Sequence, residues 1–134
     1  MNEPDVIRRM LAAQTIAVVG LSDDPAKPSH YVSAYMQSAA GKCILPVNPS
    51  IDRVLNQTAY PSLTALPEPP ELVNVFRLPR AIPAIVDEMI ALGLKQLWVQ
   101  QGIMHREAAQ HAEAHGIAVV MDRCIMIEHR MQRI

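Results

Sequence analysis

Residues 15–22 read Thr15-Ile16-Ala17-Val18-Val19-Gly20-Leu21-Ser22. The apolar, β-branched run that closes on Gly20 predicts a strand buried on both faces, because a strand covered by helices on each side has no need to alternate. Ser22, Asp23, Asp24, Pro25, Lys27 and Pro28 crowd turn-forming residues into 21–28, which makes that segment a loop. Beyond it Tyr31, Val32, Tyr35 and Met36 recur at i, i+1, i+4 and i+5, the spacing of a helix that ends near Gly41. Strand, loop and helix in that order form the first part of a parallel crossover.

The alternation continues in both directions. On the N-terminal side Asn2 is placed to cap a short helix with Glu3, Pro4 and Asp5 in its first turn and Val6, Ile7, Met10 and Leu11 on one face. On the C-terminal side Ile44-Leu45-Pro46-Val47-Asn48-Pro49 reads as a second strand, with Pro46 near its end or on a sheet edge. Residues 50–70 lack periodicity and read as a loop with a turn of helix around Ser62-Leu63 and Leu66-Pro67. Leu72-Val73-Asn74-Val75-Phe76 is a third strand. A helix from Pro79 follows, with Ile82, Ile85, Val86, Met89 and Ile90 on one face and Gly93 ending it. Gln96 to Gln100 is a fourth strand, His105 to His115 a polar helix stopped by Gly116, and Ile117 to Met121 a fifth strand. Ile125 to the end forms a last helix. The 134 residues therefore predict one doubly wound α/β domain with a five-stranded parallel sheet. In such sheets ligands bind beyond the carboxyl ends of the strands, beside the switch in strand order. The search for function thus centres on the residues after Gly20, Val47, Phe76, Val99 and Met121.

Composition narrows the classes. Half of the residues are apolar and 19% are charged, a globular balance. Twelve basic against 13 acidic residues give a net charge of −1, so there is no basic excess to hold nucleic acid. No apolar stretch approaches the ~20 residues of a membrane span, and the acidic start Met1-Asn2-Glu3-Pro4-Asp5 lacks the order of a signal peptide. Two cysteines, Cys43 and Cys124, form neither a disulfide framework nor a zinc ligand set, so a reducing cytoplasm is the expected compartment. A homodimer is the default assembly.

The loop after the first strand has the makings of an anion site. The helix that follows offers unpaired N–H groups and the positive end of its dipole. Ser22 can donate its hydroxyl to a phosphate, Ser29 can cap the helix after Pro28, and Lys27 adds a cation. The dinucleotide fingerprint G-x-G-x-x-G is not there, however. Position 22 is serine, Pro25 stands where the third glycine belongs, and Asn48-Pro49 ends the second strand where an acid would grip a ribose. Ordinary NAD binding is disfavoured on both counts.

These residues resemble a known family. Gly20-Leu21-Ser22, Asp24-Pro25 and Lys27-Pro28-Ser29 look like the opening of the small stand-alone CoA-binding domain proteins, relatives of the CoA-binding domain of the succinyl-CoA synthetase α subunit. The likeness continues through Leu45-Pro46-Val47-Asn48-Pro49, Ala59-Tyr60-Pro61-Ser62-Leu63, Val75-Phe76-Arg77 and Leu97-Trp98-Val99-Gln100-Gln101-Gly102. It ends on Val119-Val120-Met121-Asp122-Arg123-Cys124 and Glu128-His129. Leu55-Asn56-Gln57 departs where the family tends to have glycine after leucine, and Lys42-Cys43 departs where a Tyr commonly precedes the basic residue. The resemblance implies a Rossmann-like fold that binds coenzyme A or an acyl-CoA. The site it implies comprises Gly20, Leu21, Ser22, Pro25, Lys27, Pro28, Ser29, Val47, Asn48, Pro49, Phe76, Arg77, Gln100, Gly102 and Cys124. The pyrophosphate suits the N–H groups after Ser22, and the neutral Asn48 avoids repelling the 3′-phosphate. Lys27, Arg53, Arg77 and Arg80 are the cations near this rim; an isolated Arg or Lys is ordinarily just solvated surface.

Other groups carry less. His111 and His115 share a helical face, but the run His111-Ala112-Glu113-Ala114-His115 is not H-E-x-x-H and no third metal ligand follows. Ser22 lacks the second glycine of a nucleophile elbow. Cys124, beside Arg123 and a helix start, has the setting of a lowered thiol pKa, although cysteine is also a common core filler. Cys43 is expected to be buried. Asp122 and Glu128 can pair with Arg123 or Arg130. The reading is a binding module without catalysis of its own; the alternatives are an NAD-linked oxidoreductase and a CoA-ligase fragment.

Overall fold

The computed structural model describes residues 1–132. Its elements are α1 (Pro4–Leu11), β1 (Thr15–Val19), α2 (Pro28–Ser38), β2 (Cys43–Val47), β3 (Arg53–Val54), β4 (Gln57–Thr58), β5 (Leu72–Val75), α3 (Ile82–Leu92), β6 (Gln96–Val99), α4 (Arg106–Ala114), β7 (Ala118–Val120) and α5 (Ile125–Gln132). A 3₁₀ turn, Pro79–Ala81, leads into α3. The last two residues of the expected final helix lie outside the described residues. No described helix is long and apolar enough to cross a membrane.

Five strands pair in the order β2-β1-β5-β6-β7, every pair parallel, as the sequence predicts. Side chains alternate between two apolar layers. Ile16, Val18, Leu72, Trp98 and Val120 meet α1, α2 and α5 on one face. Ala17, Val19, Val73, Val75, Leu97 and Val99 meet α3 and α4 on the other. Burial on both faces explains why the β1 sequence reads as one apolar run. Tyr35 Oη lies 2.8 Å from His129 Nδ1, tying α2 to α5.

Each edge of the sheet is covered by chain. At β2 the Tyr60 N–H donates to Pro46 O and the Asn48 N–H to Tyr60 O. Cys43 N–H and Val47 O face β1, so Pro46 faces outward and its missing N–H leaves no ladder bond unmade. At β7 Asn2 stands in for a strand. Its side chain donates to Met121 O and accepts from Met121 N, both at 2.8 Å, and its own N–H reaches Val119 O.

Several expectations are corrected. Asn2 does not cap α1; Glu3 occupies that position without a side-chain bond, Pro4 follows, and Asn2 sits in left-handed conformation against β7. Residues 53–58 form a two-stranded antiparallel hairpin where a loop is expected. Leu55 and Asn56 both have positive φ, the geometry of a tight hairpin turn. The glycine expected after leucine is replaced by Asn56, which tolerates that conformation. Cys43 is exposed, because it opens an edge strand at the amino end of the sheet. Tyr31 is also exposed: the buried face of α2 is Ser29, Val32, Ser33 and Met36.

Candidate functional site

The chain switches direction across the sheet between β1 and β5, the adjacent pair whose connections run to opposite sides. Gly20 follows β1 there with φ +90°. A Cβ on Gly20 would stand 2.5 Å from the Phe76 carbonyl oxygen and 3.0 Å from Cδ of Arg77. Glycine is therefore required by both the dihedral and the close approach of the strand end beyond β5.

A cavity of about 680 Å³ opens at this point. Gly20, Phe76, Arg77, Gln100 and Cys124 reach it from the ends of β1, β5, β6 and β7, and Ser22, Lys27, Pro28 and Ser29 from the loop and first turn of α2. A second cavity, of about 420 Å³, adjoins it on the β2 side and is lined by Val47, Asn48 and Pro49. Gly20 and Arg77 line both.

The loop between β1 and α2 holds its own shape. The Ser22 N–H donates to Ser29 Oγ at 2.9 Å, the Asp24 N–H to Ser22 Oγ at 3.0 Å and the Ala26 N–H to Asp24 Oδ1 at 3.0 Å. Two expectations change here. Ser29 does not cap its helix by a side-chain bond; Lys27 is the N-cap residue and Pro28 opens α2. Of the N–H groups after Ser22, expected to suit the pyrophosphate, those of Asp24, Ala26 and Lys27 are already bonded within the loop. The hydroxyls compensate, since Ser22 and Ser29 both act as acceptors and each keeps its hydrogen for a further partner. Ser29 N–H, in the first turn of α2, has no hydrogen-bond partner among the described residues, and the exposed Lys27 stands beside it.

Asn48 works within the fold. Its Nδ2 donates to Leu21 O at 2.9 Å and its Oδ1 accepts the Ser50 N–H at 2.8 Å. A carboxylate here would face the Leu21 carbonyl with no hydrogen to offer, so the missing acid has a local cause. Gln100 is 4% exposed and accepts the Ile125 N–H at 3.1 Å, satisfying one free donor at the start of α5. Cys124, directly before α5, is nearly buried. The Arg123 guanidinium is engaged by other groups: its Nε lies 3.9 Å from Glu128 Oε1 and its Nη1 donates to Asp122 O.

Three expected site residues line neither cavity. Leu21 is buried and contributes its carbonyl to Asn48. Pro25 is exposed on the loop. The Gly102 N–H donates to Asp122 Oδ1 at 2.7 Å, joining the loops after β6 and β7. Of the four candidate cations, Lys27 and Arg77 reach the first cavity; Arg53 bonds Asn56 O within its hairpin and Arg80 is exposed elsewhere. His105 caps α4, its Nδ1 accepting the Ala108 N–H, while His111 and His115 pack edge to face on the exposed side of that helix. Among the described residues no group of His, Cys, Asp and Glu is arranged to hold a metal.

A family model, the CoA binding domain, matches residues 14–130. The chain belongs to the CoA-binding domain family. Within it, the uncharacterized protein YneT of Bacillus subtilis is 41% identical over 121 residues, spanning 90% of this chain and 89% of its own. A solved structure from Thermus thermophilus, cell-free ID.343, superposes with a TM-score of 0.89 at 40% identity over 98% of both chains. An ADP-forming acetate–CoA ligase of Archaeoglobus fulgidus is 23% identical over 129 residues, and the match spans 19% of that enzyme. The CoA-binding domain is thus used both as a small protein and as one part of a much larger ligase.

Tyr31, Val32, Leu78, Gln101, Ile103, Met126 and Ile127 line the first cavity without having been expected there. Three carried a legible signal. Leu78 is an apolar residue between Arg77 and Pro79, in a turn that has no core to fill. Ile125-Met126-Ile127 is an apolar triplet at a helix start, and three successive positions cannot share one buried face.

Proposed function

We propose that this chain binds coenzyme A, free or acylated, as a binding module that performs no chemistry on it. The observation that carries this reading is the gradient along the first cavity. At the start of α2 it presents the hydroxyls of Ser22 and Ser29 with Lys27; toward α5 it presents Ile103, Met126 and Ile127. A ligand with a pyrophosphate at one end and a long, weakly polar arm at the other matches that gradient. Its phosphates would meet the hydroxyls, the Ser29 N–H and the positive end of α2. Its adenosine would lie on the β2 side, in the second cavity, and its pantetheine arm would run past Phe76 and Gln100 toward Cys124. The volume of about 680 Å³ is within the usual range for a small-molecule site.

The non-catalytic part of this reading is supported by the composition of the first cavity's lining. The described residues of the first cavity include no His, Asp or Glu, so no carboxylate or imidazole is placed there as a general base. Cys124 has no base beside it in that lining. Membership in the CoA-binding domain family supports the ligand class.

Native mass spectrometry of the protein purified from cells tests the reading. A co-purifying mass equal to CoA or an acyl-CoA is the expected result. A mass equal to NAD would replace it with the oxidoreductase reading.

A further inference from the structure

Among the described residues five large apolar side chains remain exposed: Tyr31, Leu78, Leu92, Ile127 and Met131. Leu92 is remote from the site, at the end of α3. Tyr31, Leu78 and Ile127 all line the first cavity. Met131, one helical turn beyond Ile127, lines a depression that shares Gln101, Cys124 and Ile127 with it. Leu78 is 61% exposed and Met131 60%, so these are surface side chains and not frayed core. Exposed apolar residues gathered at one rim mark a binding surface. Free coenzyme A gives them little reason to be there, because its arm carries two amides and ends in a thiol.

We propose that the site is built for the acylated ligand, with a medium-length acyl chain lying on the rim formed by Tyr31, Leu78 and Ile127 and continuing toward Met131. This rests on the coenzyme A reading above and adds the class of acyl group. The topology sets the direction. Phosphates at α2 and adenosine beside β2 leave the thioester end at β6, β7 and α5, since the sheet order is β2-β1-β5-β6-β7. Cys124 and Ile127 border both the cavity and the depression, so a chain leaving the thioester continues from one into the other. The depression is also lined by Asp122, Arg123 and Glu128, so the apolar surface it offers an aliphatic chain is that of Ile127 and Met131.

The test is titration calorimetry of the whole chain with CoA, acetyl-CoA and octanoyl-CoA below micellar concentration, on the wild type and on the double variant Leu78→Ser, Ile127→Ser. Both positions are exposed, and thermal melting checks that the variant is folded. The expected result is that octanoyl-CoA binds at least about tenfold tighter than CoA, with acetyl-CoA close to CoA, and that this ratio falls toward one in the double variant. Equal affinities for CoA and octanoyl-CoA in the wild type overturn the proposal and leave the coenzyme A reading standing. A ratio that survives the double substitution overturns it as well. Octanoyl-CoA-independent dimerisation that buries Leu78 and Ile127, seen by light scattering and abolished in the double variant, assigns the rim to a second copy and also overturns it. If neither CoA nor octanoyl-CoA binds, the coenzyme A reading fails and takes this proposal with it.

Discussion

Gly20 and the Phe76 carbonyl approach so closely that a single added methyl would lie 2.5 Å from the oxygen. This contact joins the ends of β1 and β5 at the point where the sheet changes direction, and both cavities meet there. Gly20→Ala should therefore do more than strain a dihedral. Gly41, also left-handed at φ +69° but with nothing within 4 Å of a Cβ, is the control. Gly41→Ala should cost about 1–2 kcal/mol for the backbone conformation alone. Gly20→Ala should exceed that and lower ligand affinity in whatever fraction still folds. Urea unfolding of both variants checks the difference.

Ser29 holds the Ser22 N–H. Ser29→Ala leaves that half-buried donor without its partner and should destabilise the fold by about 1–3 kcal/mol. It also removes a hydroxyl hydrogen from the anion site, so ligand affinity should fall together with the urea midpoint.

Lys27 behaves differently because it is exposed and makes no side-chain bond among the described residues. Lys27→Ala should leave the unliganded melting temperature in place and weaken CoA binding roughly 10- to 150-fold, the equivalent of losing one charge-assisted bond of ~1.5–3 kcal/mol. The loss should shrink as salt rises. A fall in melting temperature with affinity per folded molecule intact would make Lys27 structural.

Asn48→Asp tests whether the amide is there for Leu21. At neutral pH a carboxylate faces a carbonyl, and the variant should lose about 1–3 kcal/mol. The protonated acid can donate to Leu21 O, so its folded pKa should lie above the unfolded value of about 3.9. The restored bond is then fully present below that unfolded value and lost as pH rises through the folded one. Stability of the variant relative to wild type should improve as the pH is lowered toward 4, read by thermal melts across pH.

The two thiols should part company under iodoacetamide. Cys43 is exposed at the far end of the sheet and should react first, at a rate that CoA does not change. Cys124 should react slowly, and more slowly still with CoA present, because it lines the cavity. Peptide mapping at timed points reads both rates.

How much of this was legible depended on whether a residue's role was set by its neighbours in sequence. The βα alternation, the strand-end glycine and the serine-lysine loop were readable because periodicity and turn chemistry are local. The Leu55-Asn56 hairpin was missed because its strands are two residues each, too short to show alternation. Cys43 was misjudged because burial in a strand depends on edge position and on which end of the sheet it occupies, and both are properties of the assembled sheet. The partners of Asn2 and Asn48 lie 119 and 27 positions away, at Met121 and Leu21, and no local rule points to them. Tyr31 belongs to a helix whose apolar spacing resembles core packing until the neighbouring elements are in place.

Titration calorimetry of the purified chain with CoA, dephospho-CoA and NAD tests the central claim most directly. The account predicts one site for CoA, weaker binding of dephospho-CoA through loss of the 3′-phosphate, and no comparable binding of NAD. NAD binding as tightly as CoA, or no heat with CoA on ligand-free protein, would contradict it.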